Sequence, residues 1–205
     1  MAEHFESVER KDQAAHLGMW LFLASEVLLF GALFAVYAGY RVEFGYEFVV
    51  ASSHNSIAIG TTNTFVLVTS SLFAALAVHA ARSGRLRRAA GLLALTIGCG
   101  LLFLGLKAVE YGEHFRAGIL PGNHYHYAAL PTHAANAFFT LYYLMTGLHA
   151  LHVTGGMVAL GAVGYRAFRG AYSAERHLPL ELAVLYWHLV DVIWLFLWPL
   201  LYLMH

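Results

Sequence analysis

Charge and cysteine are both scarce in this chain of 205 residues. Asp, Glu, Lys and Arg together make up 12% of it, and the formal net charge is zero. A protein that binds nucleic acid needs cations to neutralise phosphates, so we expect no nucleic-acid partner. The single cysteine, Cys99, excludes a disulfide framework and a thiolate metal site. The sequence also contains no nucleotide-binding loop and no nucleophile elbow.

Apolar residues, by contrast, make up 60% of the chain. A soluble domain of this size has too few polar residues to cover so much apolar surface. Runs of about 20 apolar residues are long enough to cross about 30 Å of hydrocarbon as a helix. The sequence therefore predicts an all-α integral membrane protein, a bundle of five transmembrane helices. The five runs are Leu17–Tyr40, Thr61–Ala81, Ala89–Val109, Ala134–Tyr165 and Leu180–Met204.

The connections between the runs carry their cations unevenly. Nine Lys and Arg residues fall on one side of the predicted membrane and two, Arg41 and Arg116, on the other. Because the more cationic side is cytoplasmic, the chain is predicted to be N-in and C-out. Residues 1–15 then form a cytoplasmic N-terminal tail, whose mixed charge is not that of a cleaved signal. Residues 16–205 are predicted to form a single five-helix transmembrane domain.

Ionisable side chains inside the apolar runs are the most informative residues, because a charge in hydrocarbon is costly. Glu26 lies about 14 Å into the first run at a rise of about 1.5 Å per residue. The fourth run presents two histidines on one face, and the last run presents three ionisable groups at helical spacing. We expect these three polar stripes to be buried against one another. The six residues are Glu26, His149, His152, Glu181, His188 and Asp191.

The spacing of these groups leaves several chemical roles open. They could hydrogen-bond between helices and fix the register of the bundle. They could bind iron or zinc, although HxxH lacks the HExxH spacing of metalloproteases and no Glu-x-x-His pair of a di-iron bundle occurs. A haem would need axial ligands on opposite faces, whereas His149 and His152 share one face. Proton transfer would need a continuous polar path, yet the second and third runs are nearly uncharged, with Lys107 near one end.

Small and aromatic residues indicate how the runs pack. Glycines in the third and fourth runs, among them Gly100 and Gly156, would let helices approach closely. Tyr and Trp residues at the ends of runs, such as Tyr37 and Tyr202, are typical of anchors at the membrane interface. The longest connection has histidines that either bind a metal ion or are simply solvated. These histidines are His114, His124, His126 and His133.

Five segments resemble motifs of one family, in the family's order and from about residue 16 to the end. GLHALHVTGGM is similar to the HGLHV signature of subunit III of haem-copper terminal oxidases, the cytochrome c oxidase subunit III family. The last run resembles that family's closing helix, with its W-H-x-V-D-V-x-W-L-F core. The other three segments are WLFLASEVLLFGALFAVY, TTNTFVLVTSS and LGLKAVEYGEHF. By this resemblance the chain is identified as a five-helix bacterial form of the family.

The resemblance implies a non-catalytic core subunit of a complex that reduces O2 to water and pumps protons. Haem and copper would lie in partner subunits, and this chain would supply no catalytic, cofactor-binding or metal-ligating residue. The implied partners are the catalytic subunit I, subunit II, membrane phospholipids and other respiratory complexes. In the family, this subunit is thought to support assembly, lipid binding, proton uptake and sustained turnover. The implied location is the bacterial plasma membrane, with the chain as a multi-pass protein.

The family's functional residues correspond to the polar stripes already described. Its buried glutamate corresponds to Glu26, its paired histidines to the pair in the fourth run, and its polar set to the three groups of the last run. Its lipid-headgroup arginine corresponds, by ungapped spacing, to Arg166. We expect the stripes to hold the helix bundle together and to seat phospholipid, with no redox chemistry of their own.

Two other functions remain compatible with the sequence. One is an accessory membrane protein of nitric-oxide reduction, which shares the subunit III fold. The other is a free-standing membrane metalloenzyme, which would hold iron or zinc without partner subunits. The electron donor of an oxidase, cytochrome c or quinol, is not encoded in this chain, because other subunits bind it.

Overall fold

The structure, a computed structural model, describes residues 2–172 and 177–203. This part of the chain is helical and contains no strand, which confirms the predicted all-α class. A single turn of 3-10 helix, Gly122–His124, lies in the longest connection. The α-helices are α1 (Ala2–Glu43), α2 (Gly45–Ser52), α3 (Ile57–Arg82), α4 (Leu86–Arg116), α5 (His133–Phe168) and α6 (Leu178–Tyr202).

Five of these helices are long and apolar enough to cross a membrane, which confirms the predicted number of spans. Four of them, α1, α3, α4 and α5, are longer than the predicted hydrophobic runs, because polar residues at the ends continue the helix. The predicted boundary after residue 15 lies within α1, which is continuous from Ala2. Hydropathy did not predict α2, an eight-residue helix whose Phe48 and Ala51 are buried.

Polar caps and left-handed glycines set the ends of the helices. The hydroxyl of Ser56 accepts a hydrogen bond from the backbone N–H of Ile59 at the start of α3, and Thr132 caps α5 in the same way. Gly84 turns the chain between α3 and α4 with φ of 72°, a conformation that side-chain-bearing residues rarely adopt. The short turn makes α3 and α4 antiparallel neighbours.

The core lies among α3, α4, α5 and α6, where Trp187 of α6 fills the centre. A Cβ on Gly156 would lie 2.7 Å from the Trp187 ring, and a Cβ on Gly100 would lie 3.0 Å from it. These two predicted close approaches are present because only a hydrogen on Cα leaves room for the indole. Helix α1 packs beside α5 and α6 and leaves large apolar residues such as Leu17, Trp20 and Leu28 exposed.

Two tyrosines at the ends of predicted spans are buried, so their predicted role as interface anchors is wrong. Tyr37 is 1% exposed and Tyr202 is 0% exposed. The Tyr37 hydroxyl donates to the carbonyl of Leu200, and the Asn55 side-chain amide donates to the carbonyl of Leu201. The last carbonyls of α6 therefore find partners inside the protein, as buried helix ends require.

Candidate functional site

A largely buried polar contact joins α1 to the middle of α5. His152 Nε2 lies 2.7 Å from Glu26 Oε2, and His152 Nδ1 lies 2.8 Å from the Leu148 carbonyl oxygen. Since a carbonyl only accepts, Nδ1 carries a hydrogen, and one proton then lies between Nε2 and the carboxyl group. Both side chains are mostly buried, at 15% and 14% exposed. The structure brings these two predicted site residues together.

His149, the second predicted histidine, is fully buried one turn before His152. Its ring packs against Phe103 and Trp194, with centroid separations of 5.5 and 5.3 Å. Neither ring nitrogen has a hydrogen-bond partner among the described residues. Two aromatic rings thus lie against His149, whereas both nitrogens of His152 are engaged in hydrogen-bond contacts.

Glu181 lies at the end of the bundle and not beside Glu26. It accepts a hydrogen bond from Arg82 Nε at 2.7 Å and contacts His177 Nε2 at 2.9 Å. The expectation that all three polar stripes are buried against one another is therefore wrong for Glu181. Glu181 belongs to the first turn of α6, where the helix dipole favours a carboxylate and a basic neighbour at the end of α3 is within reach.

The remaining two predicted residues of α6 face α3 and α4. His188 Nδ1 is 2.7 Å from the hydroxyl of Ser71. Asp191 is 4% exposed and lies near the Ser71 side chain of α3 and Cys99 of α4. The six predicted residues are thus divided among separate helix–helix contacts.

The most extensive buried polar network was not predicted. We call it the Lys107 cluster, and it consists of Lys107, Glu110, Tyr142 and Tyr202. Lys107 Nζ donates to Glu110 Oε2 at 2.6 Å, to the Tyr142 hydroxyl at 2.7 Å and to the Tyr202 hydroxyl at 2.9 Å. Tyr202 in turn donates to Glu110 Oε2 at 2.8 Å. The cluster joins α4, α5 and α6 near the C-terminal end of α6.

Aromatic rings surround the ammonium group of Lys107. Its Nζ lies between 4.7 and 5.7 Å from the centroids of Tyr111, Tyr142, Trp194 and Tyr202. Such rings present electron-rich faces to a cation and replace part of its lost hydration. A Lys near the end of an apolar run usually extends towards the membrane surface, so its burial inside the bundle was not expected. The available signal was the spacing of Lys107 and Glu110, which places both on one face of α4.

The histidines of the longest connection do not assemble a metal site. His114 is 5% exposed and packs on Phe139 and Tyr142. Within residues 2–172 and 177–203, no three His, Cys, Asp or Glu side chains are placed to hold a metal ion.

In the same connection, burial raises the pKa of Tyr125, whose hydroxyl donates to the Leu130 carbonyl at 2.7 Å.

Arg166, the predicted lipid-headgroup residue, lies in the last turn of α5 and is exposed. Its guanidinium lies 5.7 Å from the centroid of Tyr172. A groove of about 410 Å³ runs between α4 and α5 at this end of the bundle, where Arg87 and Tyr165 contribute to its lining. Cationic groups and a largely apolar groove thus occur together at this end of the helices.

Comparison with known proteins returns one family across nearly the whole chain. Residues 2–205 match the family model for cytochrome c oxidase subunit III. The chain is 33% identical to cytochrome c oxidase subunit 3 of Thermostichus vulcanus over 192 residues, which cover 92% of this chain and 86% of that protein. The subunit 3 of Branchiostoma lanceolatum is 34% identical over 90% of this chain and 67% of its own length. The subunit 3 of Alkalihalophilus pseudofirmus is 27% identical over 100% of this chain and 93% of its own length.

Proposed function

The chain belongs to the cytochrome c oxidase subunit III family, and on that premise we propose that it is a non-catalytic core subunit of a respiratory haem-copper oxidase. The complex would reduce O2 to water and pump protons, with haem and copper held by partner subunits. The observation that carries this proposal is the family match over residues 2–205. All three relatives described above bear the name of an oxidase subunit, which favours an oxidase over a nitric-oxide-reducing complex.

The enclosed histidines support a role without redox chemistry for this chain. His152 is held by Glu26 and by the Leu148 carbonyl, and His149 is enclosed by aromatic rings. Binding a metal or haem at His152 would require breaking one of its two hydrogen-bond contacts. Their role is to fix α1 and α5 against the rest of the bundle.

The proposed work of the subunit is to support assembly, lipid binding, proton uptake and sustained turnover of the catalytic subunit I, beside subunit II. The exposed apolar face of α1 supports burial against lipid or a neighbouring subunit, since such residues would not remain in water. Arg166 and the groove between α4 and α5 support contact with anionic phospholipid. Contacts with other respiratory complexes would use the same membrane-embedded surface.

The proposed location is the bacterial plasma membrane, with an N-in and C-out orientation. The uneven distribution of cations supports this orientation, because those of the nine cations that lie in the described residues occur at the end of the bundle where α3 and α5 end and α4 and α6 begin. The Lys107 cluster would then lie near the outer side. The electron donor, cytochrome c or quinol, would be bound by other subunits.

Purification in mild detergent tests the assignment. A tagged chain should co-purify with the catalytic subunit I and subunit II, and the complex should show haem absorbance. The isolated chain, obtained after dissociation, should retain no haem, iron or zinc. Stoichiometric metal in the isolated chain would support the metalloenzyme alternative, and co-purification with nitric-oxide-reducing subunits would replace the oxidase assignment.

A further inference from the structure

The groove between α4 and α5 is narrow and apolar along most of its length. The buried side chains of Leu93 and Leu160 contribute to its lining. Among the described residues that line it, only Arg87 and Tyr165 have polar side-chain groups. A Cβ on Gly164 would lie 3.6 Å from the Leu93 side chain, so the two helices approach closely at the groove. The small residues of its lining are Ala90, Gly91, Ala94, Gly161 and Gly164.

The groove has the dimensions of one hydrocarbon chain in one leaflet of a membrane. Its lining on α4 extends over residues 87–97, about 15 Å at a rise of about 1.5 Å per residue. The hydrocarbon core of a bilayer is about 30 Å thick, so this length is about that of one leaflet. Since a cavity of about 150 Å³ holds the six carbons of benzene, the 410 Å³ of this groove have room for roughly sixteen carbons.

One arginine from each helix lies at the end of the groove that faces the membrane surface. Arg87, in the first turn of α4, lines the groove itself. The guanidinium of Arg169 lies 6.0 Å from the ring centroid of Tyr165, which also lines the groove. Neither the first turn of α4 nor the last turn of α5 contains an acidic residue. A guanidinium group binds phosphate through paired hydrogen bonds, so this end of the groove suits a phosphate group.

We propose that the groove holds one acyl chain of an anionic phospholipid whose phosphate group lies at Arg87 and Arg169. The inference rests on the membrane location and the lipid contact proposed above, and it adds the residues that bind the lipid and the leaflet from which it comes. With an N-in orientation, this is the cytoplasmic leaflet. Arg166, the predicted lipid-headgroup residue, instead contacts Tyr172 and is not among the residues that line the groove.

The size and charge of the groove favour a lipid chain over a protein segment. Its volume divided by its length gives a cross-section of roughly 27 Å², whereas a helix about 10 Å in diameter occupies about 80 Å². An extended hydrocarbon chain therefore fits the groove, and a helix does not. A second copy of this chain, packed symmetrically on the same face, would place Arg87 of one copy near Arg87 of the other, and the like charges would repel.

Photolabelling of the assembled oxidase tests the proposal. The complex is reconstituted into phosphatidylcholine vesicles that contain a small fraction of a photoreactive lipid, and the labelled peptides are identified by mass spectrometry. The photoreactive lipid is either phosphatidylglycerol or phosphatidylcholine, with the same acyl chains. We expect phosphatidylglycerol to label residues 90–97 and 160–168. Phosphatidylcholine should label them about tenfold less, because its choline cation offsets the charge-assisted contacts of the phosphate group.

Variants test the two ends of the groove separately. Labelling by phosphatidylglycerol should fall about tenfold when Arg87→Gln and Arg169→Gln are combined. It should be lost in Ala94→Phe, whose ring would fill the apolar part of the groove. Arg85→Gln and Ala162→Phe are matched controls, because both positions are exposed and neither lines the groove. Labelling in these two variants should equal that of the wild type.

Equal labelling by the two lipids would overturn the proposal, and so would labelling that persists in the double arginine variant or in Ala94→Phe. A wild-type groove that neither lipid labels would also overturn it and would indicate a protein segment as the occupant. The comparison of the two lipids needs only the wild-type chain, so it decides the proposal even when a variant fails to assemble. Because labelling is read on the tagged chain itself, it is separate from co-purification with subunit I, on which the oxidase assignment depends.

Discussion

Glu26 of α1 and His152 of α5 meet at 2.7 Å with one proton between them. The contact joins the most exposed spanning helix to the rest of the bundle. Tyr37 makes a second connection from α1, to the last turn of α6. Three of the polar groups that the sequence singles out, Glu26, His152 and His188, thus make contacts between particular helices.

Replacing Glu26 by Gln tests whether this carboxyl group conducts protons. The Glu26→Gln side chain keeps the shape and can still donate to His152 Nε2, so we expect full assembly and proton pumping with only a modest loss. The measurement is proton release per electron by the purified oxidase in vesicles. An assembled Glu26→Gln complex that has lost all pumping would show that Glu26 carries protons.

Removing the imidazole of His152 should weaken the attachment of α1 to α5. His152→Ala leaves Glu26 without its partner in hydrocarbon, where such a hydrogen bond is worth about 0.6–2 kcal/mol. We expect lower retention of the subunit or its lipid in detergent, while the initial rate of O2 reduction stays near that of the wild type. Thr154→Ala is a matched control, because its hydroxyl bonds only within α5, to the Ala150 carbonyl. Equal loss from both variants would contradict the prediction.

The sequence was sufficient for the spans and insufficient for the arrangement of the polar groups. Hydrophobic runs predict helices because a backbone in hydrocarbon must satisfy its own hydrogen bonds. Glu26 could be assigned to a contact between helices because a carboxyl group in hydrocarbon also needs a hydrogen-bond partner. The grouping depended on how far each helix is rotated and shifted along its axis, which small residues such as Gly156 determine through packing. Glu181 was therefore misplaced and the Lys107 cluster was missed.

Removing only the cation of the Lys107 cluster should strongly destabilise the subunit. Lys107→Met leaves Glu110 buried without its cation, a change that typically costs about 3–5 kcal/mol. We expect the subunit to dissociate from the complex at a clearly lower temperature. The double variant Lys107→Met with Glu110→Gln should recover much of the loss, because no uncompensated charge remains.

Arg82→Gln is the control, because it breaks the exposed pair with Glu181 and should change stability by no more than about 1 kcal/mol. A double variant no better than Lys107→Met alone would contradict this account.

Adding a single methyl group to α5 should have different effects at two glycines. In Gly156→Ala the new Cβ would lie 2.7 Å from the Trp187 ring, whose indole N–H is also held by the Ser70 hydroxyl at 3.0 Å. The ring is fixed from several sides, so α5 or α6 must move, and overpacking of this kind costs about 1–3 kcal/mol. At Gly147 no described atom lies within 4 Å of the added Cβ, and Gly147→Ala should be nearly neutral. The temperature at which the purified complex releases the subunit should therefore fall for Gly156→Ala and stay close to the wild-type value for Gly147→Ala. An unchanged temperature for Gly156→Ala would mean that Trp187 can shift, and the close approach of α5 and α6 would not then depend on glycine.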